Sequence, residues 1–479
     1  MRLTRLVPRI DWSRVALRYL PFADAATPDL PLPRLIRLSL FQLSVGMATV
    51  LMVGTLNRVM IVELGVGAWL VSAMVALPLV VAPLRALIGL KSDLHRSFIG
   101  WRRVPFVWFG TLLQFGGLAI MPFALILLSG QTQVQLVAGH VASALSFLLV
   151  GAGLQVTQTA GLALATDLAP GPTRPRVVAL MYVMLLAGMA GCGMVFSLLL
   201  QDFSPTRLVQ VVQGTALVTM LLNAVSMWKQ EPRTHRRAPQ QARREPLRFA
   251  EHWAKLASRS RMTRFLVTVG LGTMAFNMQD IILEPYGGEV LGLPVGATTL
   301  LTGLTSLGSL AAFAWAARLL GRGADPMRVA SFGLLAGLAA FSAVIFADPM
   351  GSPTLFRVGA LLIGFGNGLF AVGTLSAAMA LDCDGLHGLV LGAWGAVQAT
   401  CAGTAIALGG ALRDLVAHLG ADGALGEAMR QAGAAYGVVY HLELVLLFVT
   451  LVTLGPLVRP AARREHGGSG KLGLADLPG

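Results

Sequence analysis

The feature that most constrains this chain is a series of twelve apolar runs, each long enough to cross a membrane as a helix. Crossing the roughly 30 Å hydrocarbon core takes about 20 apolar residues in helical conformation. We number these runs as spans 1 to 12; they cover residues 36–60, 69–90, 105–129, 134–166, 177–200, 207–228, 265–284, 296–317, 328–347, 355–381, 387–411 and 437–458. Only 13% of the residues are charged, against about 25% in soluble domains. The chain is therefore predicted to be an all-α membrane protein.

The positions of the basic residues predict the orientation of the spans. Of the 37 Lys and Arg residues, 31 fall in the segments on the same side as the N-terminus, the largest group being 229–264. Because such residues stay in the cytoplasm, both termini are predicted to be cytoplasmic. The net charge of +14 then reflects orientation and attraction to anionic lipids. Binding to nucleic acid is not expected.

The two sets of six spans resemble each other. Residues 151–167 of span 4 and 366–382 of span 10 share Gly, Leu, Thr, Ala and Asp at a constant offset of 215, and RLIR and RMTR precede spans 1 and 7. Such an internal repeat is typical of the major facilitator fold. The predicted organisation is a basic arm with an interfacial helix (1–34), a six-helix half (35–228), a linker with an amphipathic helix (229–263), a second half (264–458) and a cytoplasmic tail (459–479).

The stretch NMQDIILEPYGG, residues 277–288 of span 7, carries two carboxylates in an apolar run. A continuous helix would place Asp280 and Glu284 on one face, since they are four residues apart. Counted from Arg264, they would lie roughly 24 and 30 Å up the helix, near its outer end. Pro285 and the glycines after it are predicted to end the helix.

Arg58 of span 1 is predicted to lie at the same level as these acids, about 31 Å above Arg37. We therefore expect an outer charge cluster of Arg58, Asp280 and Glu284, in which the arginine pairs with one of the acids. A structural ion pair, recognition of a substrate or partner, and a proton relay all remain open as its role.

The centre of the predicted cavity is poor in charge. Spans 1, 4, 7 and 10 would line it, and at mid-depth they offer Gln155, Gln158, Asn277 and Asn367 among apolar residues. A polar solute inside a membrane needs charged or densely polar partners. This lining favours a large apolar solute, or no transport at all.

The loop after span 2 resembles the inter-span motif of facilitators, with Gly89, Asp93, Arg96, Arg102 and Arg103 in the corresponding places. The spacing between Asp93 and the arginine pair is longer than in that motif. The resemblance implies a latch between the inner ends of helices, and the longer spacing argues against an ordinary transport switch.

Four stretches are similar to the PucC/LhaA family of phototrophic bacteria: residues 54–66, 92–125, 279–293 and 364–379. The resemblance implies an assembly factor for bacteriochlorophyll-containing antenna complexes in the inner, intracytoplasmic photosynthetic membrane. The implied partners are antenna polypeptides, reaction-centre and core antenna assemblies, and bacteriochlorophyll. Length and the N-terminal arm favour the LhaA branch, which serves the core antenna, over the branch for the peripheral antenna. The alternative is a facilitator that moves an apolar or tetrapyrrole-like solute.

The candidate ligands for a magnesium tetrapyrrole are His140, His387 and His441, each near the end of a span, together with the Asn and Gln oxygens above. Each histidine has the alternative of a hydrogen-bonded structural role. The three cysteines form no CxxC motif, so no metal cluster is expected. No nucleophile–base pair or cofactor loop stands out, and an enzyme is not expected.

The last expectation concerns residues 413–436, between spans 11 and 12. Its charged residues include Asp414, Asp422, Glu427 and Arg430. Charges at this density predict a long loop outside the membrane.

Overall fold

The computed structural model describes residues 25–27, 30–80, 101–130, 132–170, 173–231, 260–380 and 387–458. All regular structure in these residues is helical. Eleven helices in them are long and apolar enough to cross a membrane, and the described part of span 2 is a shorter apolar helix. The predicted all-α membrane fold is confirmed.

The observed spans agree with the apolar runs to within a few residues at most ends. Spans 1 to 6 are Leu32–Thr49 with its continuation to Glu63, Ala68–Val80, Val104–Leu128, Gln133–Leu168, Arg174–Leu199 and Pro205–Met227. Spans 7 to 12 are Ser260–Asn277 with its continuation to Glu289, Val295–Gly321, Pro326–Ala347, Pro353–Ala380, His387–Ala421 and Ala432–Leu454.

Small residues let the two halves pack closely. Span 2 meets span 11 where a Cβ added to Gly410 would lie 2.6 Å from the carbonyl oxygen of Ala68. Span 5 meets span 8 where a Cβ on Gly193 would lie 2.7 Å from the Cα of Gly303. Backbones at this distance leave no room for side chains, and close packing of this kind holds membrane helices together.

An ion-pair network joins spans 3, 4 and 6 at the end of the N-terminal half that carries most basic residues. Arg102 Nη2 and Arg103 Nε lie 2.7 and 3.0 Å from Asp167 Oδ2. Glu231 accepts hydrogen bonds from the backbone N–H groups of Arg102, Arg103 and Val104 at 2.8 to 3.1 Å. We call Arg102, Arg103, Asp167 and Glu231 the Arg–Asp latch. The other motif residues, Gly89, Asp93 and Arg96, lie outside the described residues.

The prediction of a continuous loop over 413–436 is wrong. Span 11 stays helical to Ala421, a 3-10 turn covers Glu427–Arg430, and span 12 begins at Ala432. The reason is that Arg413 and Asp414 are paired within the protein, so their charges do not require bulk water. The side of the membrane on which this connection lies stays a prediction.

The predicted interfacial helices in the arm and in the linker lie outside the described residues, as does the C-terminal tail. The proposed domain boundaries stay predictions.

Candidate functional site

Span 7 is broken in the middle of its acidic stretch. The α-helix ends at Asn277, a 3-10 turn covers Met278–Ile281, and a second α-helical piece covers Leu283–Glu289. Pro285 explains the break, because its ring collides with the carbonyl group four residues earlier and it lacks an N–H. The prediction that the helix ends at Pro285 to Gly288 is wrong, since these residues lie inside the second piece.

Span 1 departs from α-helical geometry at the repeat-related position. It continues past Thr49 as π-helix over Val50–Leu56 and again over Val59–Glu63. RLIR at residue 34 and RMTR at residue 261 differ by 227, and this offset places 50–56 opposite 277–283. Mid-helix π and 3-10 segments often mark functional sites and hinges. In a membrane, irregular backbone is tolerated where protein or a cavity covers it.

The accessible residues of both spans stop at the same level. On span 7, beyond Leu266, the accessible side chains are Val267, Leu271, Met274, Asn277 and Asp280, and residues 281–287 are then all buried. On span 1 the last accessible residue before a buried stretch is Val53; residues 54–61 are then all buried, and access resumes at Val62. Since 280 minus 53 is 227, the two end points are related by the same offset. We call this level the closed end; Asp280 lies at it.

Glu284 lies just beyond the closed end and is 2% exposed. Its Oε1 accepts a hydrogen bond of 2.5 Å from the Thr302 hydroxyl. A Cβ added to Gly54 would lie 2.6 Å from that same oxygen, so the carboxylate is seated against a glycine of span 1. Oε2 has no hydrogen-bond partner among the described residues. Because of the break, Asp280 and Glu284 do not share a helix face as predicted.

The predicted ion pair between Arg58 and Asp280 or Glu284 is wrong. Arg58 Nη1 lies 2.6 Å from Glu63 Oε1, and its Nη2 donates to the carbonyl oxygen of Leu293 at 3.1 Å. Arg58 therefore does bridge span 1 to the connection between spans 7 and 8, but through a backbone carbonyl. The charge of Arg58 still acts on Glu284 from beyond salt-bridge distance. The extra turn of π-helix after Arg58 brings Glu63 into its reach.

A second network, which the sequence analysis missed, lies at the far end of span 7. Arg413 Nη2 is 2.5 Å from Glu289 Oε2, and the Tyr436 hydroxyl donates to that oxygen at 2.8 Å. Arg413 Nη1 also pairs with Asp414 at 2.9 Å, and Asp414 accepts the Trp69 N–H of span 2. We call these five residues the Arg413 network. It connects spans 2, 7, 11 and 12 beyond the closed end.

Glu443 of span 12 is a further residue that the sequence analysis missed. Its side chain is fully buried, and neither carboxylate oxygen has a hydrogen-bond partner among the described residues. The backbone N–H of Gln279 faces it without hydrogen-bond geometry, and the charge of Asp280 acts on it. The side-chain amide of Gln279 donates to Asp280. The signal was available, since Glu443 is the one acid in the apolar run of span 12.

The four predicted cavity residues, Gln155, Gln158, Asn277 and Asn367, are all half-buried. Asn277 ends the first piece of span 7 and donates to the carbonyl oxygen of Thr273 at 2.6 Å. Partial access fits residues that line a cavity, and this role stays a prediction.

The three candidate histidines differ in their settings. His140 is half-buried, and the side chain of His387 lies outside the described residues. His441 is exposed on span 12, and its Nδ1 lies 2.7 Å from the carbonyl oxygen of Gly437. A carbonyl only accepts, so Nδ1 carries the hydrogen and the Nε2 lone pair remains for a ligand. Within the described residues, no three His, Cys, Asp or Glu side chains form a group suited to a metal ion.

The comparisons with known proteins fit this architecture. A mutant form of the nucleoside transporter NupG superposes with a TM-score of 0.66 at 14% identity, over 88% of this chain and 99% of its own. The predicted major facilitator fold is confirmed. An "uncharacterized protein in puhA-bchM intergenic region" of Rhodobacter capsulatus is 51% identical over 97% of this chain and 98% of its own. Protein PucC of Rhodovulum sulfidophilum is 53% identical over 84% of this chain and 89% of its own. The family model described as PUCC protein matches residues 55–462. This chain belongs to the PUCC protein family.

Proposed function

We propose that this protein is an assembly factor for bacteriochlorophyll-containing light-harvesting antenna complexes, serving the core antenna rather than the peripheral one. Family membership across residues 55–462 is the observation that carries the proposal. The protein would bind or deliver bacteriochlorophyll, single-span antenna polypeptides or both, in the intracytoplasmic photosynthetic membrane with both termini in the cytoplasm. The proposal assigns it no catalytic step.

The lining of the predicted cavity supports a large, weakly polar cargo. At mid-depth, Gln155, Gln158 and Asn367 supply amide groups and no charge, and all three are half-buried. The acids of span 7 begin only at the closed end, at Asp280. A solute with several charges would leave its own groups without partners over most of this depth.

Of the two candidate histidines whose side chains the structure describes, His441 fits a bacteriochlorophyll ligand better than His140. Magnesium in such a pigment accepts oxygen or imidazole nitrogen. Histidines that bind metals usually donate their other ring N–H to a carbonyl or carboxylate, which fixes the tautomer. His441 has this arrangement through Gly437, one turn earlier on the same face. When bound, the pigment would supply light absorption, and the protein would supply its ligand.

The surroundings of His441 are open and apolar. Nothing lies within 4 Å of the position that a Cβ would take at Gly437. Val445 and Phe448, one and two turns further along the helix, are 55% and 58% exposed. We propose that pigment is held at this face of span 12, where an antenna helix can reach it from the membrane. The basic inner segments would bind anionic lipids at the same time.

The test is a deletion strain complemented with variants. Deleting the gene should lower assembled antenna and leave pigment synthesis largely intact. Complementation with His441→Leu should restore less antenna than the wild type, whereas the matched His140→Leu should restore it fully. The purified wild-type protein should carry a bacteriochlorophyll absorption band that His441→Leu lacks. Normal antenna in the deletion strain, together with a purified protein free of both pigment and antenna helices, would contradict the proposal.

A facilitator for an apolar or tetrapyrrole-like solute is the second candidate, and the broken spans favour it. Transporters of this architecture build their sites from discontinuous helices, and spans 1 and 7 are both irregular. Vesicles with the reconstituted protein would decide between the two. Protein-dependent release of a loaded tetrapyrrole supports the facilitator, whereas retention of a protein-bound pigment supports the assembly factor.

A further inference from the structure

At the closed end the 3-10 turn of span 7 packs against span 12, and each of these two elements carries a carboxyl group. Asp280 lies in the 3-10 turn, where part of its surface is accessible, and Glu443 lies behind it on span 12 with none. Glu443 has two unpartnered oxygens, and the neighbouring Tyr440 hydroxyl is also buried without a partner among the described residues. This arrangement is independent of the proposed function.

The charges around Glu443 do not balance it. The backbone N–H of Gln279 faces Glu443 and favours a negative charge there, but the nearby charged group is Asp280, which has the same sign. The neighbouring Tyr440 brings no positive charge. An ionised carboxylate buried without a cation costs several kcal/mol even after the protein relaxes. The pair must therefore hold a positive ligand.

The nearby arginines are already engaged. Arg58 binds Glu63 and the carbonyl of Leu293, and its charge acts on Glu284. Arg413 binds Glu289, Asp414 and Tyr436 in the Arg413 network. The charge interactions of Glu443 include neither arginine.

The side chains around the pair do not suit a divalent metal ion. A magnesium or calcium ion needs about six or more oxygen ligands, including waters, and no such group of side chains occurs among the described residues. Aromatic rings also fill the space: Tyr286 packs on Tyr440 at 5.4 Å, and Tyr440 packs on Phe341 at 6.5 Å between ring centroids. A proton is the positive ligand that fits.

We propose that Asp280 and Glu443 form a proton-binding site, in which Asp280 takes up the proton from the accessible side and Glu443 stores it behind the closed end. With the proton present, the 3-10 turn packs on span 12 without repulsion. When the proton leaves to water, two negative charges face each other in a medium of low dielectric constant and push the turn away from span 12. The second piece of span 7 ends in the Arg413 network, so proton loss loosens that network.

The first test is infrared spectroscopy of the purified full-length protein. The wild type at neutral pH should show the C=O stretching band of a protonated carboxyl group, which shifts in D₂O. The buried Glu284 can contribute to this band in every variant. Glu443→Gln should therefore lose the part of the band that belongs to Glu443, seen in the wild-type minus variant difference spectrum, and Asp280→Asn should keep that part at a changed frequency because the neighbour of the proton has changed. Glu427→Gln is the matched control, since Glu427 is exposed; it should leave the band unchanged. A wild type without the band, or a folded Glu443→Gln in which the band is undiminished, would overturn the proposal.

The second test follows the motion. Hydrogen–deuterium exchange of residues 283–289, corrected for the intrinsic rate at each pH, should become faster at alkaline pH in the wild type. Glu443→Gln develops no charge at residue 443, whereas Glu284 is the same in both proteins, so its corrected exchange should rise less with pH than that of the wild type. Exchange that accelerates equally in both proteins would show that the proton at Glu443 does not control the second piece of span 7. If Glu443→Gln does not fold, Asp280→Asn serves the same comparison, with a smaller acceleration expected.

Discussion

The Arg–Asp latch and the Asp280–Glu443 pair place carboxylates in opposite settings. In the latch, Asp167 receives two guanidinium groups and Glu231 receives three backbone N–H groups. In the pair, Glu443 receives no hydrogen bond from a described residue, although it is the more deeply buried group. Carboxylates that stabilise a fold are expected to be paired, because breaking such a pair is strongly destabilising. A carboxylate buried without partners lowers stability, so its presence points to a role other than stability.

The two regions also differ in the regularity of their backbone. Glu231 accepts from the start of span 3, a helix whose N-terminal N–H groups need an acceptor. Asp280 lies where span 7 has lost its α-helical geometry, opposite the π-helical part of span 1. One region fixes regular helices in place, whereas the other lies at a joint between helical pieces. The comparison predicts that mutations in the latch cost stability and that mutations at the pair do not.

The largest loss is expected for Glu231→Ala. It leaves three N–H groups at the start of span 3 without their acceptor and removes a negative charge from a helix N-terminus. Because Glu231 is only half-buried, we expect a loss of about 3 kcal/mol rather than more. Unfolding by titration with dodecyl sulfate measures it. The control Glu427→Ala removes an exposed acid and should cost less than about 0.5 kcal/mol. Equal losses in the two variants would break the comparison.

The spans that carry both regions, and the position of Asp167, were predictable from the sequence. Apolar runs and basic residues predicted the twelve spans, and Asp167 was recognised at the end of span 4 through its repeat counterpart. The partners were not predictable, because they come from distant segments: Glu231 binds the start of span 3, and Arg58 binds Glu63 only through the π-helical turn. Pro285 predicted an interruption of span 7. We expected that interruption after Pro285, but the proline ring collides with a carbonyl group of the preceding turn, so the helix is interrupted before it.

The next largest loss of stability is expected for Gly54→Ala. This glycine contacts Glu284, whose carboxylate has one hydrogen-bonded oxygen and one without a described partner. The new Cβ would lie 2.6 Å from Glu284 Oε1 and 2.8 Å from the Thr302 hydroxyl, so the carboxylate has to move. Overpacking of a buried contact costs about 2 kcal/mol. The matched change is Gly437→Ala, where nothing lies within 4 Å of the new atom. Replacing a helical glycine by alanine there should raise stability by about 0.5–1 kcal/mol. The same dodecyl sulfate titration separates the two, and a Gly54→Ala protein as stable as the wild type would show that Glu284 is not held in place.

A smaller loss is expected for Glu63→Gln. Arg58 is buried, but the side chain of Glu63 is 38% exposed, so water screens much of their interaction. Exposed ion pairs contribute about 0.5 kcal/mol, and the amide oxygen of Gln can still accept from Arg58. Increasing the salt concentration should reduce the difference between wild type and variant. A loss above about 2 kcal/mol would instead show that this pair behaves like the latch.

The smallest loss, and the sharpest test of the comparison, is expected for Glu443→Leu. Leucine is close to glutamate in volume and brings no polar atom. The substitution therefore removes the free-energy cost of burying a polar group that has no described partner. Replacing buried ionisable groups by apolar residues of similar size is often neutral or stabilising by about 1–4 kcal/mol. We therefore expect Glu443→Leu to be at least as stable as the wild type, while it loses the part of the protonated carboxyl band that belongs to Glu443. Asp167→Leu is the matched change in the latch, and it should destabilise the protein because Arg102 and Arg103 lose their shared partner. If Glu443→Leu were as destabilising as Asp167→Leu, Glu443 would have to be a structural residue with a hydrogen-bonded partner, and the contrast between the two regions would fail.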